Sequence, residues 1–173
     1  MIKLALLALA AASATSSPAL MSSAPWWEKV TITIAGDGNP QSCRYESSRR
    51  AQSAQSCEVD SGAATGAGGH SASDLLTRIT FERRFSPGAA PASGALEPGD
   101  KLIGQQVLAL AIDSRGAVSG CKVVATSGEM TPEYGCDDAS AERFEASAKR
   151  SAAAEPKRGY MTVLVYGHEE HVV

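Results

Sequence analysis

Alternating apolar and polar residues mark short β-strands along the chain. In "VTITIAGDGNPQSC", Val30, Ile32 and Ile34 alternate with threonines, and a Gly-Asp-Gly-Asn-Pro turn follows. Side chains along a strand point to opposite faces in turn, so this spacing indicates a strand with one apolar face. The stretch therefore predicts a strand, a turn and a second strand.

The second half of the chain repeats this plan. An apolar strand at residues 107–112 leads into an Asp-Ser-Arg-Gly turn and a strand through Cys121. Each half then closes with another strand, "RITFERRF" in the first and "YMTVLVYG" in the second. The shared order favours a degenerate internal duplication, although strand-turn-strand patterns are common and a shared cysteine interval also arises by chance.

Composition divides the chain into segments. The stretch "SPGAAPASGALEPG" is rich in Pro, Gly and Ala and has the character of a linker. We predict a signal peptide at 1–14, a small β-rich, disulfide-stapled half at 25–86, a linker at 87–99 and a second domain at 100–170.

One helix is predicted after the second strand of the second half, with two alternatives for its length. A long helix would cover "CDDASAERFEASAKRSAAAE", with acidic residues near its start and basic residues near its end. Its apolar stripe is poor, since Phe144 is its only large apolar residue. A shorter helix at about residues 132–142, followed by an extended piece, fits the pattern equally well.

The first residues, "MIKLALLALAAASATSS", have the pattern of a secretory signal. Lys3 supplies a positive start, an apolar run follows, and a small-x-small motif predicts cleavage between Ala14 and Thr15. We predict a periplasmic protein whose mature form does not span the membrane. The alternative is an uncleaved anchor, although the apolar run is shorter than the ~18 residues that a spanning helix needs.

Four cysteines follow, and an exported chain reaches a compartment where thiols oxidise. Zinc sites usually contain a Cys-x-x-Cys pair, and a catalytic thiol needs a base nearby, so disulfides are favoured over both. Four cysteines allow three connectivities. Because loop closure favours local bonds, we predict that Cys43 bonds Cys57 and Cys121 bonds Cys136.

Charge and motifs limit the function classes further. The formal net charge of −3 and the lack of a basic block argue against nucleic-acid binding. The pairs Arg49-Arg50 and Arg83-Arg84 are interpreted as solvated charges. In "GHEEHVV", His168 and His171 do not form a zinc-protease motif, so weak adventitious metal binding is the most they indicate, and no cofactor is predicted.

Two adjacent tryptophans, Trp26 and Trp27, stand shortly after the predicted signal. An exposed aromatic pair would mark an interface. We favour the other interpretation, in which the pair anchors the N-terminal part of the mature chain on a small core.

The second half resembles the C-terminal domain of TonB, in its disulfide-bearing periplasmic form. The likeness lies in the Asp-x-x-Gly turn, "VSGCKVVATSG", the segment with Cys136, "RFEAS" and the strand "GYMTVLVYG", over roughly residues 100–167. The resemblance implies an α+β fold, β-β-α-β, in which one helix packs on an antiparallel sheet and a disulfide pins helix to sheet. It also favours the shorter helix.

The resemblance further implies peptide binding, because energy-transducing family members add a short peptide to a sheet edge. We predict an exported, non-catalytic protein-binding module of the cell envelope, linked to TonB-type transport, whose partner is an envelope protein or an extended peptide. The alternative is a small periplasmic enzyme or inhibitor. The predicted contacts lie on the edge of the last strand, at Met161, Thr162, Val163, Leu164 and Val165.

That edge has a competing interpretation. The other half of the chain or a second molecule would cover it equally well, and the latter leaves a homodimer open.

Overall fold

The computed structural model describes residues 20–35, 38–49, 55–56, 76–88, 90–91, 96–146 and 155–169. These residues form seven β-strands and one short helix. The strands are β1 (Trp26–Ile34), β2 (Pro40–Ser47), β3 (Gln55–Ser56), β4 (Leu76–Pro87), β5 (Asp100–Ile112), β6 (Val118–Gly128) and β7 (Lys157–Glu169), and the helix is α1 (Cys136–Ala141). All described strands join one antiparallel sheet in the order β3-β2-β1-β4-β7-β5-β6.

The turn between β5 and β6 shows how local sequence sets the structure. A carboxylate oxygen of Asp113 accepts hydrogen bonds from the backbone N–H groups of Ala117 and Arg115, both at 2.9 Å. These bonds, the one from Ala117 above all, hold the pKa of Asp113 below its usual value. Gly116 has a φ of 84°, and a Cβ there would lie 1.9 Å from the carbonyl oxygen of Phe144. Only glycine fits, and the predicted strand-turn-strand unit is confirmed.

The hydrophobic core lies between one face of the sheet and the segment that contains α1 and Phe144. The ring of Phe85 stacks on Trp26, with centroids 6.1 Å apart, and meets Phe144 at 4.8 Å. Leu108 and Met161 are fully buried beside them. Burying one such side chain contributes about 1.5–3 kcal/mol. The prediction that the tryptophan pair anchors the chain on the core is confirmed for Trp26.

The helix is shorter than either alternative drawn from the sequence. It has six residues, about one and a half turns, and buries only Ala139. Asp138 accepts a hydrogen bond from the backbone N–H of Gly135 at 2.8 Å, which stabilises its first turn. The chain leaves the helix at Glu142, whose backbone is extended.

The predicted α+β fold, a sheet with one packed helix in the order β-β-α-β, is wrong. The chain is mostly antiparallel sheet, and its one described helix is too short to form a layer over seven strands. The backbone after α1 is extended. Phe144, the only large apolar residue of the longer predicted helix, lies in this extended part, beyond the end of α1. Its backbone N–H donates to the carbonyl of Gly116 at 2.8 Å, so the segment follows the β5–β6 turn instead.

Strands from both halves of the chain form this continuous sheet. The first half supplies β3, β2, β1 and β4, the second supplies β7, β5 and β6, and β4 pairs with β7 where they meet. Counted outward from the β4–β7 pair, the long strands of the first half are β4, β1 and β2, and those of the second half are β7, β5 and β6. In both halves the last long strand of the half lies at the junction. Internal duplication stays a prediction, which superposition of the two halves would test.

Some sequence predictions lie outside the described residues. Among these are the signal peptide at 1–14, with its cleavage between Ala14 and Thr15, and Cys57. Among the residues that the structure does describe, no helix is long and apolar enough to cross a membrane.

Candidate functional site

The strand predicted to bind a partner lies inside the sheet. β7 pairs with β4 on one side and with β5 on the other. Its predicted contact residues are all buried: Met161, Thr162, Val163, Leu164 and Val165. The prediction that β7 forms an edge is therefore wrong, because the other half of the chain covers its rim.

β6 is an outermost strand of the sheet. Within the described residues it pairs with β5 alone, so its other side presents unpaired main-chain N–H and C=O groups. Residues 122–128 are exposed, and the apolar side chains of Val123 and Val124 are 42% and 48% exposed. Val124 has no partner residue in β5, because the register shifts there. This β-bulge bends the strand, as bulges at sheet edges and near functional sites often do.

A disulfide fixes α1 beside this edge. Cys121 on β6 bonds Cys136 at the start of α1, with Cα atoms 5.5 Å apart, as predicted. The bond holds the beginning of the helix against β6, and the two elements are in contact. The second predicted bond, between Cys43 and Cys57, cannot be compared because Cys57 lies outside the described residues.

The chain between β6 and the first turn of α1 is acidic. No lysine or arginine occurs between Lys122 and Arg143. Four exposed carboxylates lie in this segment: Glu129, Glu133, Asp137 and Asp138. The segment that follows β6 therefore carries exposed negative charge.

The face of the sheet that lies away from the core, here called the polar face, carries a polar cavity of about 390 Å³. Every second residue of β4 faces it: Arg78, Thr80, Glu82 and Arg84. Residues of β1, β2, β5 and β7 line it as well, as do Leu96 and Glu97. Because strand residues alternate between faces, this surface lies away from the core around Phe85.

Cross-strand register arranges these residues in rows. In the first row, Thr33 pairs with Arg78, Arg78 with His168, and His168 with Asp100. The ring nitrogen Nδ1 of His168 lies 3.1 Å from a carboxylate oxygen of Asp100. A row thus brings together residues from four strands that are far apart in sequence.

The next rows are held by their own hydrogen bonds. The hydroxyls of Thr31 and Thr80 are 3.0 Å apart. Tyr166 donates from its hydroxyl to Glu82 at 3.0 Å, and Arg84 pairs with the same carboxylate. Burial, with the nearby negative charge of Glu82, raises the pKa of Tyr166. These side chains are therefore fixed in place rather than freely solvated.

On the core side, Arg83 joins the two halves of the chain. Its guanidinium donates to Glu28 on β1 and, at 2.8 Å, to Glu142 just after α1. Its side chain is 25% exposed, and that of Glu28 is 11% exposed. Burial opposes the charge on Arg83, but the Glu28 carboxylate, together with Tyr134 and Glu142, outweighs burial and raises the pKa of the guanidinium.

Further groups complete this ion-pair network. Tyr45 donates to Glu28 at 3.0 Å, and Arg49 pairs with it at 3.3 Å while lying over the Trp26 ring. Tyr134 donates to Glu142 at 3.2 Å, and burial followed by the Glu142 charge raises the pKa of Tyr134. The interpretation of Arg49 and Arg83 as solvated charges is wrong, because both pair with the buried carboxylate of Glu28.

No metal-binding arrangement is found in the described part of the chain. No group of three His, Cys, Asp or Glu side chains there is placed to hold a metal ion. His168 contacts Asp100, and His171 lies outside the described residues.

Sequence reasoning missed both the polar face and the ion-pair network. A signal for the first was present in "RITFERRF", because Arg78, Thr80, Glu82 and Arg84 alternate with Ile79, Phe81, Arg83 and Phe85. No family model, curated protein or solved structure matches this chain. The resemblance to the TonB C-terminal domain stays a prediction.

Proposed function

We propose that the protein is a non-catalytic binding module of the cell envelope, and that it adds an extended peptide of another envelope protein to the free edge of β6. The observation that carries this proposal is the eleven-residue strand β6, which pairs on one side only within the described residues. A peptide that adds to such an edge gains main-chain hydrogen bonds, while neighbouring side chains select among sequences.

Two features, one on β6 and one directly after it, specify the kind of peptide. Val123 and Val124 offer apolar contacts, and the carboxylates of Glu129, Glu133 and Asp137 lie in the segment that follows the strand. Charge complementarity favours a peptide in which apolar residues alternate with lysine or arginine. The positive charge of Lys122 repels a cation in the first half of β6. The basic residues of the peptide therefore fit best near the end of β6, beside Glu129.

The envelope location rests on the disulfide and on the sequence. The Cys121–Cys136 disulfide fits an oxidising compartment. Together with the signal-like start of the chain, it supports a periplasmic location. A role in TonB-type transport is part of this proposal and rests on the sequence resemblance.

Photo-crosslinking tests the binding edge. A photoreactive phenylalanine analogue replaces Val124 in one variant and Phe81, which is 41% exposed on a strand with both neighbours paired, in a matched control. After incubation with envelope extract, we expect the Val124 position to link a specific protein through an extended segment. Equal labelling from the two positions, or labelling from neither, would count against β6 as the binding edge.

Defined peptides test the charge preference. Alternating Lys-Val and Glu-Val hexapeptides have the same length and apolar content, and chemical shifts of the β6 amides report their binding. We expect the Lys-Val peptide to bind more tightly, and Asp137→Asn to weaken binding of the Lys-Val peptide without weakening that of the Glu-Val peptide. A preference for the Glu-Val peptide would contradict the proposed chemistry of the partner.

A further inference from the structure

The first row of the polar face contains an arginine whose charge is not balanced by a neighbour. Arg78 makes no ion pair with any described residue, and its Nε atom is buried without a hydrogen-bond partner. Leaving a buried donor unpaired destabilises a protein, more so when the group is charged. Arg78 also lines the cavity, so a molecule that enters can reach it.

Four carboxylates line the cavity with Arg78: three are bonded elsewhere, and the fourth, that of Glu97, makes no ion pair with Arg78. Glu82 binds Arg84 and Tyr166, and Glu46 binds Lys29 and Arg44. Asp100 contacts His168 and accepts a hydrogen bond from the backbone N–H of Glu97 at 3.2 Å. The positive charge of Arg78 therefore remains available to an anion from outside the chain.

His168 offers a second contact next to Arg78. The two residues are direct cross-strand partners, a position that places Cβ atoms about 4.5–5.5 Å apart. A carboxylate only accepts hydrogen bonds, so the contact with Asp100 places a proton on Nδ1 of His168. In the neutral ring, Nε2 is then an acceptor, and 26% exposure keeps part of the side chain open.

We propose that this cavity binds a small α-hydroxy or α-amino carboxylate. Arg78 holds the carboxylate, since its planar fork matches two carboxylate oxygens. Nε2 of His168 accepts a hydrogen bond from the hydroxyl or ammonium group on the adjacent carbon. Asp100 is a positioning residue that fixes the orientation of the imidazole.

The cavity fits such a ligand in size and polarity. Its volume of about 390 Å³ lies in the range of small-molecule sites, about 300–1,000 Å³. Charged and hydroxyl side chains form most of its wall, which disfavours a lipid or another apolar ligand. This site lies on the face away from α1, so it is independent of peptide binding at β6.

The test uses lactate, alanine, acetate and inorganic phosphate as probes, with the full mature chain and ligand-observed NMR. We expect lactate or alanine to bind more tightly than acetate, and Arg78→Met to weaken that binding by about tenfold or more. Arg115→Met, which removes an 87% exposed arginine at the β5–β6 turn, is the matched charge control and should bind as the unaltered protein does. Circular dichroism checks that each variant folds.

His168→Gln separates the two contacts. It should weaken lactate or alanine binding and leave acetate, which lacks the neighbouring donor, unchanged. Arg78→Lys keeps the charge but loses the fork, so it should retain only weak binding and serves if the methionine variant does not fold. Binding of phosphate alone, no binding of any probe, or an equal loss in Arg115→Met would each overturn the proposal.

Discussion

Replacing Arg83 with methionine should destabilise the protein more than any exposed charge substitution. Arg83 pairs with Glu28 on β1 and with Glu142 after α1, and its side chain is only 25% exposed. Methionine keeps much of the volume but removes every hydrogen bond from the guanidinium. The change therefore isolates the charge and its bonds from packing.

The structure sets the expected magnitude. Breaking a buried ion pair costs about 3–5 kcal/mol, because the remaining charge stays buried without its partner. Glu28 keeps Arg49 and Tyr45 as partners, and Glu142 keeps Tyr134. We therefore expect a loss of about 3 kcal/mol, at the low end of that range.

Urea unfolding measures this loss, monitored by tryptophan fluorescence and by circular dichroism. The midpoint should fall without a change in slope, which would show that stability rather than compactness has changed. Arg115→Met is the control, since its exposed pair with Asp113 contributes about 0–1 kcal/mol. Combining Arg83→Met with Glu28→Gln should give a coupling energy of about 1–3 kcal/mol. Equal midpoints for the Arg83 and Arg115 variants, or coupling below about 0.5 kcal/mol, would refute the reasoning.

Two other predictions concern the disulfide and the tyrosines. Replacing Cys121 and Cys136 together with serine should cost about 3 kcal/mol by urea unfolding, from the entropy of a loop with a sequence separation of 15, and an unchanged midpoint would contradict this. In an alkaline absorbance titration, Tyr134 and Tyr166 should ionise above the usual tyrosine pKa of about 10. Because folding raises these pKa values, their contribution to stability is present below about pH 10 and is lost as pH rises through the raised values. Tyr166→Phe should remove part of the late absorbance change, and an unaltered late phase would exclude this assignment.

Local pattern predicted the strands well and their neighbours poorly. The alternation at Val30, Ile32 and Ile34 and the turn at Asp113 depend on nearby residues, so both could be recognised in the sequence. The position of β7 depends on distant pairing. One local signal was present in the sequence, since the mostly apolar run from Met161 to Val165 is typical of a strand covered on both faces.

The candidate sites depend on register, which sequence does not display. Arg78 and His168 are direct neighbours across β4 and β7 although 90 positions separate them. Arg83 reaches Glu142 because a short helix and an extended segment bring that carboxylate over the sheet. Composition showed the charges, but only pairing between strands showed which charges meet.

The position of β7 also determines how the sheet is completed. β4 and β5 follow one another in the chain but are separated in the sheet by β7, the last described strand. Without β7, a gap one strand wide would separate these two strands, with about 9–10 Å between their axes. Both rims stay unpaired until β7 inserts, and pairings such as Phe81 with Val165 require closure of a long loop, which is slow. We therefore expect insertion of this one strand to limit the speed of folding, and any other extended chain present at that stage to compete with β7 for the gap.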